Sequence, residues 1–256
     1  MSPAVKNIIL RSSVITPDRL PGLAAWYSAD YGVLTSVGPD VAATDGQTVR
    51  RWLDRSGNGR HLDQATLAQQ PTLTAGRLVF TRVFKTFMEY STGGIWSFAG
   101  AGSILCVVKL NTALANNYGA VIAQYTGAGT SLYWAVQDYP NVGVRHTLDA
   151  FGNRSDSKNA GATGVETAES FVWDNWQTGS GISGATGRSI NTITSTGSGS
   201  PSSLPSAPIR VGVTTTAAAG VDQYLDGSVA EIVACTAAVA PTALAVYFFR
   251  KYGTAL

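Results

Sequence analysis

Charge is scarce in this sequence: 13% of its residues are Asp, Glu, Lys or Arg, about half the share in an average soluble protein. The 18 basic residues nearly cancel the 16 acidic ones, leaving a formal charge of +2. Such a chain sets up no field that would gather a polyanion, so nucleic acid is not an expected partner. Histidine and cysteine are equally sparse, with two of each. His61 and His146 have no Cys or second His nearby, and the sequence has no H-E-x-x-H, no G-x-S-x-G and no Walker lysine. Metal catalysis, Ser/His hydrolysis and P-loop chemistry therefore lack their residues. Gly179-Ser180-Gly181-Ile182-Ser183-Gly184 spells G-x-G-x-x-G, but a glycine-rich chain yields that match by chance and no βαβ pattern surrounds it. Cys106 and Cys235 each lie in an apolar run. That setting suits buried free thiols, with a single disulfide between them as the alternative.

Long apolar runs are missing too, with one exception. Val229 to Phe249 carries Glu231 as its sole charge and is long enough to span a bilayer. Its β-branched first half and Pro241 instead predict a strand, a turn and a short helix. Pro3 interrupts the N-terminus and no sustained apolar stretch follows it, so no secretory signal is read and no membrane partner is expected.

What the chain does have is 45% hydrophobic residues and 28 glycines in 256 residues, enough apolar material for one self-sufficient core and too much for disorder. From Leu23 onward, short apolar stretches alternate with Gly, Pro, Asn and Ser clusters, the rhythm of an antiparallel all-β domain. Nine strands are predicted: Ala24 to Ser28, Leu78 to Phe80, Ser103 to Leu110, Ala120 to Tyr125, Ser131 to Gln137, Val142 to His146, Ser170 to Trp176, Ile209 to Val213 and Gly227 to Ala234. The Ser/Thr/Gly/Ala-rich piece from Thr178 to Pro208 resembles a linker. It would leave too short a remainder for a second domain, so it is read as polar strands and loops, with a strand at Arg188 to Thr194. Residues 1–22 are expected to form an N-terminal arm and 23–256 one domain.

A closing helix is predicted residue by residue. Pro241 suits its first turn and Gly253 the position after its end. Leu244, Phe248 and Tyr252 recur in steps of four to give an apolar face, and Arg250 and Lys251 complement the negative end of the helix dipole.

Three blocks carry a resemblance. The first runs from Leu23-Ala24-Ala25-Trp26-Tyr27-Ser28-Ala29-Asp30 through Asp45-Gly46-Gln47-Thr48-Val49-Arg50-Arg51-Trp52-Leu53-Asp54-Arg55-Ser56-Gly57-Asn58-Gly59 to Gln70-Pro71-Thr72-Leu73. The second is Leu225-Asp226-Gly227-Ser228-Val229-Ala230-Glu231-Ile232-Val233, and the third is Phe249-Arg250-Lys251-Tyr252-Gly253. In this order they resemble the concanavalin A-like lectin/glucanase, or laminin-G-like, jelly-roll domains that recur in bacteriophage structural proteins and bacterial surface proteins. The resemblance implies an all-β, two-sheet antiparallel jelly-roll sandwich, in agreement with the strand count.

Fold alone does not fix function, so the chemistry is read site by site. Glycosidases of this fold class set a Glu, an Asp two residues on and a second Glu along one strand, flanking the bond to be cleaved. None of Glu89, Glu166, Glu169 and Glu231 falls in that pattern, and no enzymatic activity is expected. Glu231 alternates with Val229 and Val233 and is read as a partly buried structural carboxylate. Asp54, Ser56 and Asn58 imitate the first half of a calcium loop, but Ala65 stands where its bidentate Glu belongs. No cofactor is expected, a loose calcium site on these three residues being the alternative to a tight turn. Of six tryptophans, Trp26 and Trp52 are read as core, while Trp96 and Trp176 with Tyr139 form the candidate sugar-stacking platform.

The first expectation is thus a non-enzymatic structural protein at the surface of a phage virion, decorating or attached to capsid or tail. It would contact other virion proteins and form a symmetric homo-oligomer. The second is a carbohydrate-binding adhesin module recognising host surface glycan.

Overall fold

A computed structural model describes residues 14–95, 102–110, 120–125, 131–139, 143–150, 153–158, 170–177, 181–186, 193–194, 207–213, 224–240 and 242–253, with backbone alone considered between 131 and 194. The chain is a sandwich of two antiparallel sheets closed by one helix, α1, Thr242–Tyr252. One sheet, called A here, contains β1 (Leu23–Ser28), β5 (Thr72–Thr74), β6 (Arg77–Phe80), β8 (Gly102–Leu110), β13 (Ser170–Gln177), β14 (Gly181–Thr186), β15 (Ile193–Thr194) and β17 (Gly227–Cys235). Sheet B contains β2 (Val33–Leu34), β3 (Arg51–Trp52), β4 (Leu62–Asp63), β7 (Met88–Tyr90), β9 (Ile122–Tyr125), β10 (Ser131–Tyr139), β11 (Gly143–Ala150), β12 (Asn153–Lys158) and β16 (Ile209–Val211). The all-β expectation holds, and each of the nine predicted strands overlaps an observed one. Among the described residues of the Thr178 to Pro208 stretch lie β14 and β15; of the strand predicted at Arg188 to Thr194, the last two residues form β15 and the rest lies outside the described residues.

Strand β17 organises sheet A. It pairs with β8 along one edge and with β6 and then β1 along the other. Both of its faces are covered, which is why all nine residues are buried and why its sequence reads as an unbroken apolar run. Among the described residues, no helix is long and apolar enough to cross a membrane; the run that could have spanned one is β17 followed by α1.

Alternation divides the apolar side chains into two layers. Tyr27, Trp52, Phe80, Ile104, Cys106, Val229 and Ile232 belong to the core between the sheets. Trp26, Leu105, Val107, Val233 and Cys235 face outward, where Leu244 and Phe248 of α1 cover them. Each of those two helix side chains contributes about 1.5–3 kcal/mol on burial. The helix ends as predicted: Gly253 takes φ +67 and its N–H reaches the Phe249 carbonyl at 2.9 Å. Pro241 lies outside the described residues. Leu20 also joins the outer layer, so the described end of the expected arm, 14–22, is packed onto the domain.

The strict alternation expected at Glu231 fails for a specific reason. Val229 pairs with Val108 while Glu231 pairs with Val107, so Ala230 is an extra residue in the ladder, a β-bulge. The bulge puts Val229 in the inner core while Ala230 and Val233 lie in the outer layer with the partners of Glu231.

The layers also decide the cysteines. Both are buried thiols outside any disulfide, and Cys106 belongs to the inner layer and Cys235 to the outer one. Cys106 pairs with Ile232, and Cys235 pairs with Ser103 three positions along the ladder, about 10 Å away and beyond the reach of a disulfide. Burial pushes the Cys235 thiol up to about 12. Titration with a thiol reagent is expected to find no reactive cysteine in the native protein and two per chain in denaturant without reductant; a count of zero in denaturant would contradict this layering.

Candidate functional site

The outer face of sheet A carries the densest polar cluster among the described residues, and Glu231 is its centre. Its side chain is completely buried, which would cost an isolated carboxylate several kcal/mol. Four short hydrogen bonds offset that cost. Oε1 accepts from the Trp26 indole at 2.6 Å and the Tyr247 hydroxyl at 2.8 Å. Oε2 accepts from the Lys251 ammonium at 2.8 Å and the Tyr252 hydroxyl at 2.6 Å. A carboxylate has about four acceptor sites, and these donors fill them.

The donors come from two elements that flank β17. Trp26 is supplied by β1, whereas α1 supplies Tyr247 and Lys251, four residues apart on one face, and Tyr252 next to Lys251. Burial, followed by the Glu231 charge and its hydrogen bonds, holds both phenols well above the usual tyrosine range. They remain protonated donors. Lys251 uses its remaining protons on Ser28 Oγ at 2.7 Å and on Asp30 at 3.1 Å, and Ser28 in turn donates to Asp30. Burial works to raise the Asp30 carboxyl, but the hydrogen bonds from Ser28 and Lys251 and the charges of Lys251 and Arg55 prevail and hold it below its usual range.

Above this network lies an open depression of about 770 Å³, lined by Trp26, Asp30, Arg55, Tyr247, Arg250 and Lys251, together with Val14, Thr16 and Asp18 from the preceding segment. The Arg55 guanidinium stacks 4.2 Å from the Trp26 ring and 5.1 Å from the Tyr31 ring, a cation–π sandwich that fixes its planar fork. Tyr31, on the far side of Arg55, is 42% exposed. Acidic and basic side chains alternate around the depression and the buried Glu231 lies beneath, so no sign of charge dominates.

Arg55 is aimed by the loop read from sequence as a turn or calcium mimic. Asp54 Oδ1 accepts the Trp26 N–H at 3.0 Å and the Ser56 N–H at 2.9 Å, and Oδ2 accepts the Ser56 hydroxyl at 2.8 Å and the Arg60 N–H at 3.1 Å. Asn58 donates its side-chain amide to the Leu23 and Ala24 carbonyls, and His61 Nδ1 accepts the Asp54 N–H. Asp54, Ser56 and Asn58 are thus brought together, but the Asp54 oxygens are occupied by the chain's own donors and the loop is bolted to β1. Among the described residues, no three His, Cys, Asp or Glu side chains are grouped to hold a metal ion.

The other expected residues distribute as follows. Trp26 and Trp52 are buried, and the Trp52 indole donates to the Ser28 carbonyl at 2.9 Å. Glu89 is ion-paired with Arg210 at 2.6 Å. Glu166, Glu169 and Trp96 lie outside the described residues. Tyr139 ends β10 of sheet B and Trp176 lies in β13 of sheet A, so the expected platform draws on two different sheets. Asp30, Tyr31, Arg55 and Lys251 were not foreseen as a group. Tyr247 and Lys251 at helical spacing, together with a lone Glu in an apolar strand, were the signal available.

No family model and no curated protein matches the sequence. The fold does match solved structures. Domain 4 of AbnA, a GH43 extracellular arabinanase from Geobacillus stearothermophilus solved in complex with arabinotriose, aligns with TM-score 0.56 and 12% identity over 87% of this chain and 96% of that one. The receptor-binding domain of botulinum neurotoxin mosaic serotype C/D aligns with TM-score 0.56 and 8% identity, over 92% of this chain and 51% of that one. Trypanosoma rangeli sialidase, in complex with 2,3-difluorosialic acid, aligns with TM-score 0.52 and 11% identity, over 91% and 34%. The chain therefore spans about half of the neurotoxin domain and a third of the sialidase. At these identities the likeness establishes the β-sandwich architecture.

Replacing Glu231 tests the network. Glu231→Gln leaves a buried amide that must present its NH₂ to one pair of donors and leaves the Lys251 ammonium with the half-exposed Asp30 in place of its buried partner. Breaking a buried pair on one side costs about 3–5 kcal/mol, and a shift of that size in urea unfolding is the expected outcome. A change below about 1 kcal/mol would show that the four hydrogen bonds add little.

Proposed function

We propose that this chain is a non-catalytic carbohydrate-binding module whose sugar site is the depression over Glu231. The observation that carries the reading is the composition of that depression. The guanidinium groups of Arg55 and Arg250 and the Asp30 carboxylate line the space, and the exposed Tyr31 ring lies against Arg55. Neighbouring sugar hydroxyls each donate and accept, so a mixed, charge-balanced lining beside an aromatic face matches a saccharide better than it matches an ion or a polyanion. The floor is rigid, because every acceptor site of Glu231 is taken, and a preorganised site loses less entropy on binding. The domain-scale likeness to a domain solved with arabinotriose supports the same reading.

We read the module as non-catalytic, and the same geometry supports that reading. Glycoside hydrolysis needs two carboxyl groups flanking one bond. Asp30 and Asp18, the carboxylates of the depression that reach solvent, are both held below the usual carboxylate range, Asp18 by its hydrogen bond with Thr16, so neither is set to act as the acid, and Glu231 is sealed beneath Trp26, Tyr247 and Tyr252.

The role at a phage virion surface rests on the resemblance of the three sequence blocks and is compatible with sugar binding, since a particle-borne module would present the depression to host glycan. The structural likenesses favour the carbohydrate half of that description.

A glycan array followed by calorimetry on the best hit tests the proposal. Binding is expected, with Asp30→Ala and Tyr31→Ala each weakening it about tenfold or more. No binding to any glycan overturns the reading, whereas loss in Trp96→Ala or Trp176→Ala with no change in Tyr31→Ala moves the site to the platform expected from sequence.

A further inference from the structure

Seven large hydrophobic side chains are exposed among the described residues, and four of them sit in two short loops. The first is the turn after β6. Val83 and Phe84 are 78% and 66% exposed and occupy the centre of a turn in which the Lys85 N–H reaches the Arg82 carbonyl at 3.0 Å. Central turn positions ordinarily hold Pro, Asp, Asn or Gly. Lys85 follows at φ +53, and the Thr86 hydroxyl, accepting the Thr81 N–H at 2.6 Å, clamps the base of the turn. The same strand end is tied to the turn carrying Leu67, itself 69% exposed, by the hydrogen bond from the Phe87 N–H to the Gln69 carbonyl. This surface is basic: between Gln64 and Met88 there is no Asp or Glu, while Arg82 and Lys85 bracket the apolar pair.

The second loop has the opposite character. Val37 and Val41 are 41% and 49% exposed, with Asp40 between them, and from Tyr31 to Val49 there is no Lys or Arg. It is equally fixed, since the Thr35 N–H donates to the Val41 carbonyl at 2.8 Å and the Ser36 hydroxyl to the Pro39 carbonyl at 2.6 Å. Asp40 also acts at longer range on Arg51, whose guanidinium is held by Asp63. Asp45 of the same acidic segment accepts the Ala75 N–H at 2.6 Å, at the turn before β6. The acidic surface therefore lies toward the start of β6 and the basic knob follows its end. In sheet B, β4 and β3 stand between β7, which the knob precedes, and β2, which the acidic loop follows, so it is two copies that can bring the surfaces together.

We infer that the Val83–Phe84 knob docks on the Val37–Asp40–Val41 loop of a second copy of this chain, with Lys85 and Arg82 facing Asp40. Each surface offers apolar side chains that the fold leaves in water and a charge of the sign the other lacks. Both are held in place before contact, so docking orders little new chain. The contact joins different surfaces on the two partners, which closes either as a reciprocal dimer or as a head-to-tail ring. Presenting several sugar sites on one assembly would raise avidity without any new sugar contact.

Sedimentation velocity on the intact chain, at about 100 μM and low salt so that weak contacts are populated, tests this. The wild type is expected to sediment as an oligomer that dissociates as salt approaches about 1 M. Val83→Ser/Phe84→Ser, Lys85→Glu and Asp40→Lys are each expected to be monomeric, and the charge swap Asp40→Lys/Lys85→Glu to reassociate. All four variants change exposed or half-exposed loop side chains, and unchanged thermal unfolding verifies their folds. A monomeric wild type overturns the inference and leaves the two loops to other partners. An oligomer that all the variants leave intact, or a charge swap that stays monomeric, overturns it as well.

Discussion

A single buried carboxylate sets the arrangement of one whole face of this protein. Glu231 sits where a β-bulge turns β17, at a depth where an unpaired charge is not tolerated. Its needs are met by an indole from β1 and by two phenols and an ammonium from α1. The apolar contacts of Leu244 and Phe248 hold the helix against the sheet, but they are non-directional and would accept a helix rotated or slid by a fraction of a turn. The hydrogen bonds to Glu231 do not accept that. They fix the helix in azimuth and register, and so fix where Lys251 meets Asp30.

The depression is a consequence of that constraint. Its floor is Trp26, held by Glu231 from below and by the Arg55 guanidinium from above. Arg55 is held in turn by the Asp54 loop, whose four accepted hydrogen bonds tie it to β1 and to itself. Much of the sequence that resembles concanavalin A-like domains therefore does architectural work: Trp26, Asp54, Asn58, Glu231 and the end of α1 are mutual supports. Asp30, Tyr31 and Arg55 are left with their side chains facing solvent.

The strand pattern was legible in the sequence where strands carry apolar residues at a regular period, and was missed at the six-residue polar strand β12. β8, β10, β13 and β17 run eight or nine residues, and all were anticipated. The two-residue strands β2, β3 and β4 were not, because two residues have no periodicity and their pairing is decided by distant partners. The helix was readable from its spacing and its closing glycine. At Glu231 the reading of a structural carboxylate stands, but its phase slipped by one residue after Val229, since a bulge leaves no mark in the sequence. The depression was hidden for a related reason: its residues come from β1, two loops and α1, and only the pairing of β1 with β17 brings them to one place.

Amide hydrogen exchange on the wild type and on Glu231→Gln compares the two halves of the sandwich directly. If Glu231 ties β1 and α1 to sheet A, peptides covering 23–30 and 242–253 will exchange markedly faster in the variant, while those covering 51–63 and 88–90 in sheet B keep their protection. Equal acceleration in both sheets, or none in the helix, would contradict the account.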